Sequence, residues 1–77
     1  MTKKDFLALL AELVESPPGT LQGHEKLSSV AGWDSMAVVG FIALVDQNFG
    51  IQVDASAIAN TQTVDDLVKL LGGRVTG

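Results

Sequence analysis

The stretch GWDSM, residues 32 to 36, places a hydroxyl directly after a carboxylate. Asp34 and Ser35, with His24, the single histidine, supply the residue types of an orienting acid, a nucleophile and a base. Most chains contain those types, and nothing in the spacing gathers them here. His24 lies between Gly23 and Glu25 in a non-periodic stretch and reads as a solvated loop histidine. Asp65-Asp66 reads as first-turn charge on a helix. No His or Glu pair falls at i, i+4 and there is no cysteine, so no metal-ligand set is expected. No glycine-rich phosphate loop follows a strand, since no strand is predicted. The residues therefore argue against catalysis by the chain itself. Taken alone, an Asp-Ser pair before a helix is mostly capping. The same place also suits an attached phosphate, because free amides and the helix dipole stabilise negative charge there. Ser35 is thus presented rather than activated.

The elements that must position it follow from periodicity and caps. A first helix is expected over residues 3 to 15, capped by Thr2, with Asp5 in its first turn and Phe6, Leu9, Leu10 and Leu13 on one buried face. Ser16-Pro17-Pro18-Gly19 ends it. Residues 16 to 33 make a long connection, pinned to the core by Leu21, Leu27 and Val30. The second helix runs from 35 to 49, with Asp34 as N-cap, Trp33 and Val38 as a hydrophobic staple, and Gly50 as its stop. A short helix follows at 56 to 60, with Asp54 or Ala55 at its start. The last helix spans 64 to 71, where Thr63 and Asp66 resemble a capping box. Residues 72 to 77 read as a frayed tail. The expected fold is all-α, a small four-helix bundle of three main helices and one short one with a long first loop, forming a single domain over 1–77.

The second helix carries two apolar stripes. Val38, Phe41, Ile42, Val45 and Phe49 make an ordinary buried face. Met36, Val39 and Ala43 make a neighbouring one that begins beside Ser35. Pattern alone leaves that second stripe either as extra core or as a surface for a partner. Gly40, in mid-helix, either allows close approach of another surface or is a neutral packing choice, and the latter is the simpler reading.

Composition narrows the classes. The 77 residues carry a net charge of −4. No Lys or Arg lies between Leu27 and Val68, while Asp34, Asp46, Asp54, Asp65 and Asp66 do. That one-signed field repels phosphate backbones, so a basic protein surface is a better partner than nucleic acid. No apolar run reaches membrane-spanning length and no signal peptide is read. A cysteine-free chain fits a reducing compartment, and a cytoplasmic monomer is expected.

GWDSM at a helix start, midway through a small acidic four-helix chain, resembles the acyl carrier protein family. The resemblance extends through LSSVAGWDSM, the helix end DQNFGIQV, the short helix and TVDDLVKLLGG. The family pattern is Asp-Ser-Leu, and Met36 takes the third place at similar volume. The resemblance implies that Ser35 carries 4′-phosphopantetheine, transferred from coenzyme A by a phosphopantetheinyl transferase, and that acyl groups ride on the arm as thioesters. It implies that Asp34 caps the helix and meets a basic group of the transferase. Met36, Val39, Ala43 and Asp46 become the face for partners or cargo, and Phe41, Ile42 and Val45 the inward face. The implied partners are acyl-transferring, condensing or adenylating synthase enzymes. Ala37 and Gly40 stand where the family often has acids, so recognition should lean on apolar contact. That favours a carrier for polyketide, nonribosomal peptide or modified-lipid synthesis over a housekeeping fatty-acid carrier. A cofactor-free helical interaction domain is the competing class, and a small hydrolase using Ser35 a remote one. Met1, the short lead and the brief tail suggest a freestanding protein.

Overall fold

The computed structural model describes residues 1–17 and 19–76. The chain forms α1 (Lys3–Leu13), a 3₁₀ turn (Leu27–Ser29), α2 (Ser35–Phe49), α3 (Ala55–Ala59), α4 (Val64–Lys69) and a second 3₁₀ turn (Gly72–Arg74). Among the described residues there is no strand, only isolated bridges of Thr2 with Thr76 and of Lys26 with Thr63. The fold is the expected all-α bundle of four helices.

The caps act as the sequence suggests. Thr2 Oγ1 accepts from the Asp5 amide at 3.2 Å. At the start of α4, Thr63 Oγ1 accepts from the Asp66 amide and Asp66 Oδ2 accepts from the Thr63 amide, both at 3.2 Å, which closes a capping box. Gly50, at φ +67°, ends α2 and donates to the Asp46 carbonyl.

Three helices differ from expectation in their bounds. α1 ends at Leu13 because Glu15 turns left-handed at φ 59°. The Glu15 amide donates to the Glu12 carbonyl and the Ser16 amide to that of Ala11, a Schellman closure built without glycine. Pro18, part of the expected stop, lies outside the described residues. α3 is shifted by one residue, Ala55–Ala59 in place of 56–60, since the Asp54 carbonyl already accepts from Ala57 and Ile58 and Asn60 is the C-cap. α4 is regular only to Lys69; the Leu71 amide then donates to Val68, three residues back, and the turn tightens. Nor is the C-terminal segment a frayed tail. Thr76 donates to the Met1 carbonyl at 2.9 Å and accepts from the Lys3 amide, and Val75 packs on the core. Gly77, the last of that segment, is outside the described residues.

The core is centred on Phe6 and Phe41, fully buried and edge-on at 6.1 Å. Phe49 meets Phe6 at 6.1 Å, and Leu10, Val45, Leu67 and Leu71 fill the rest. Such aromatic pairs add about 0.5–1.5 kcal/mol beyond their area. The buried stripe of α1 is rotated from the expected one. Leu7 and Ala11 are buried, with Val14 just beyond the helix, while Leu9 and Leu13 are half-buried. Trp33 packs edge-on against Phe41 at 6.2 Å, deeper along α2 than the Val38 staple expected.

The long connection is held as well as buried. Leu21 and Leu27 are in the core and Val30 is half-buried against it. The Leu27 amide donates to Gln62, and the Val64 and Asp65 amides donate to Glu25 and Gly23. The Glu25 carboxylate accepts from the Gln22 and Gly23 amides, each at 2.8 Å. Desolvation alone would raise the Glu25 carboxyl, but those amides outweigh it and hold it below its ordinary value. This clamp was not foreseen, and it fixes the loop that delivers Ser35.

Candidate functional site

The last residues of the loop and the first turn of α2 build the site. Gly32 lies at φ +87°, and a Cβ there would stand 2.7 Å from the Val14 carbonyl oxygen. Only glycine lets the loop pass so close to the end of α1. Trp33 then anchors in the core, and Asp34 caps α2 by accepting from the Ala37 amide at 2.9 Å. Ser35 follows as the first helical residue, exposed, and its hydroxyl makes no hydrogen bond among the described residues. His24 is exposed in the loop, as expected, and no group of potential metal ligands occurs among the described residues. Asp65 and Asp66 are occupied structurally: Asp65 pairs with Lys3 at 2.8 Å and Asp66 closes the capping box. The Gln62 and Thr63 amides hold the Asp66 carboxyl below its ordinary value.

Beyond Ser35 the apolar stripe is open. Met36 is 78% exposed and Val39 65%, and Ala43 and Asp46 are exposed on the same helix. The alternative that this stripe is extra core is thereby set aside. Phe41 and Val45 face inward fully, with Ile42 half-buried.

Ala37 and Gly40, which stand where the family often has acids, lie toward the α1 side of α2. Ala37 is 5% exposed and belongs to the core, where a carboxylate would be desolvated. A Cβ on Gly40 would come 2.5 Å from Leu13 Cδ1, so α1 crosses close to α2 there. That methyl is the far end of a flexible, half-buried side chain and can turn aside, so Gly40 remains a neutral packing choice at a place where the helices meet. Burial thus accounts for the missing acid at Ala37.

The exposed, unengaged hydroxyl fits a covalently tethered group. The Ser35 and Met36 amides, the first two of α2, have no acceptor among the described residues and face the same end. A family model described as "Phosphopantetheine attachment site" matches residues 4–71. The chain belongs to this family. It is a carrier protein of the acyl and peptidyl carrier class, and its cofactor is covalent 4′-phosphopantetheine. Carrier domains of this kind work with phosphopantetheinyl transferases and synthases and are not generally catalytic themselves. No curated protein and no solved structure matches the chain. No helix among the described residues is long and apolar enough to cross a membrane.

Sequence reasoning missed Glu15. It stands at the end of α1 on the rim of a cleft of about 250 Å³ that also borders Asp34 and Met36. The absence of Gly or Asn just before the Ser-Pro stop was the available signal: a helix ending there had to place another residue left-handed.

Proposed function

We propose that this chain is an acyl carrier whose Ser35 bears the phosphopantetheine arm. The observation that carries the assignment is the Ser35 hydroxyl, exposed and unbonded at the first position of a capped helix. When bound, the arm supplies a terminal thiol that holds acyl groups as thioesters, a sulfur the cysteine-free chain lacks. In loading, the Ser35 oxygen bonds to the pantetheine-bearing phosphorus of coenzyme A. The phosphoanhydride bond breaks, 3′,5′-ADP leaves, and the hydroxyl proton passes to the transferase. Asp34 keeps the first turn of α2 in register and offers its second oxygen to a basic group of that enzyme. Met36, Val39 and Ala43, with Asp46 at the far end, form the face for synthase enzymes or cargo.

The domain, residues 1–77, acts as a cytoplasmic monomer with no chemistry of its own. With Ala37 buried and Gly40 without a side chain, α2 offers one exposed carboxylate past its cap, so docking on this helix is mainly apolar. That supports a dedicated carrier for polyketide, nonribosomal peptide or modified-lipid synthesis, whose partners are acyl-transferring, condensing or adenylating enzymes. Tight binding to fatty-acid synthase enzymes with a steep salt slope would instead assign a housekeeping fatty-acid role. The carrier assignment is tested by incubation with coenzyme A and a broad-specificity transferase. Intact mass should rise by one phosphopantetheinyl group in the wild type and not in Ser35→Ala. No adduct, or one that persists in Ser35→Ala, would defeat it.

A further inference from the structure

A cleft between the end of α1 and the start of α2 is bordered by Asp34 and Met36, the two chain neighbours of Ser35. Its lining is mixed: Leu13, Met36 and Ala37 supply the apolar part, Gly32 brings the loop against it, and Glu15 and Asp34 supply acidic groups. Glu15 also borders the next groove along the bundle, with Leu13 and Gly40, so the two depressions share this one carboxylate.

Charge identifies what fits there. No Lys or Arg occurs between Asp5 and Glu25 or between Leu27 and Val68, so neither wall carries a cation of its own. Glu15 is exposed and forms no ion pair among the described residues. Its φ of 59° is a left-handed conformation that glycine adopts more easily. A cleft of mixed lining with unneutralised carboxylates matches a Lys or Arg side chain beside an apolar one.

Position identifies the partner. An enzyme that brings a donor to Ser35 must cover the surface around it, and this cleft, bordered by Asp34 and Met36 on either side of Ser35 in the chain, is part of that surface. We infer that the α1–α2 cleft seats the docking element of the phosphopantetheinyl transferase, with Glu15 receiving its cation and Leu13, Met36 and Ala37 its apolar anchor. This rests on Ser35 as the attachment residue. It adds α1 to a recognition surface otherwise confined to α2 and makes Glu15 a specificity residue for loading.

The test is the rate of Ser35 loading by a broad-specificity transferase with coenzyme A, measured against carrier concentration, beside the Tm of each variant. Glu15→Gly should raise KM about 3- to 10-fold with kcat within about twofold. The same substitution should raise Tm by a few degrees, because it relieves the left-handed residue. Glu15→Lys should raise KM further, and Asp54→Asn, at the exposed start of α3, should leave it unchanged. An unchanged KM in both Glu15 variants overturns the inference. So does a KM rise accompanied by a fall in Tm, which would assign Glu15 to folding. If the wild type takes up no arm at all, the attachment reading fails and this one with it. If every variant loads alike, only the cleft is refuted.

Discussion

Replacing Gly32 by alanine tests how closely the Ser35 loop approaches α1, and Gly19 provides a matched control. Both glycines lie at φ +87°. A Cβ on Gly19 would meet nothing within 4 Å, whereas one on Gly32 would lie 2.7 Å from the Val14 carbonyl oxygen. An L-residue in the left-handed region costs about 1–2 kcal/mol. Alanine recovers about 0.4–1 kcal/mol by restricting the unfolded chain. Gly19→Ala should therefore destabilise by about 0–1.5 kcal/mol. Gly32→Ala carries the same balance plus a steric cost of about 1–3 kcal/mol, because the obstructing atom is backbone and cannot rotate away. The difference between the two, centred near ~2 kcal/mol, corresponds to a Tm gap of about 8–16 °C in a domain of this size. Thermal unfolding followed by circular dichroism measures both. Equal shifts, within about 2 °C, would refute the close approach and with it the stated reason for glycine before Trp33.

Asp34→Ala removes the α2 cap and should cost about 1 kcal/mol, read as a lower denaturant midpoint at unchanged m. Phe41→Ala empties the centre of the aromatic cluster, and at about 3–5 kcal/mol should leave the domain largely unfolded by near-ultraviolet circular dichroism. Met36→Ser and Val39→Ser should change stability by no more than about 0.5 kcal/mol, since both side chains are exposed, while weakening synthase binding by calorimetry. The Glu25 and Asp66 carboxyls lie below their ordinary values when folded. Their contribution is therefore complete above the ordinary carboxylate range and is lost as pH falls through it toward the folded-state values. Stability should decline below about pH 5, and Glu25→Gln should flatten that decline in denaturant titrations across pH.

Much of this was legible because caps are local. Thr2, Asp34, Gly50 and the Thr63–Asp66 pair each act within a few residues, so sequence spacing alone identifies them. The exposed place of Ser35 behind the Asp34 cap was legible for the same reason, and the open stripe of Met36 and Val39 followed from having more apolar positions than one buried face needs. What escaped depends on distant contacts. The rotated face of α1 reflects which side the Leu21 loop covers. The burial of Ala37 and the approach of Leu13 to Gly40 depend on where α1 crosses α2. The pairing of Thr76 with the N-terminus joins residues at opposite ends of the chain. Glu15 escaped because its left-handed turn contradicts its residue type, and a reading from propensity extends the helix through it.

The most direct measurement is fragmentation mass spectrometry of the loaded protein, which locates the arm among its serines. Every adduct should map to Ser35, with Ser16, Ser28, Ser29 and Ser56 unmodified. An adduct on any other serine, or a chain that stays unmodified with coenzyme A and an active transferase, would contradict the assignment.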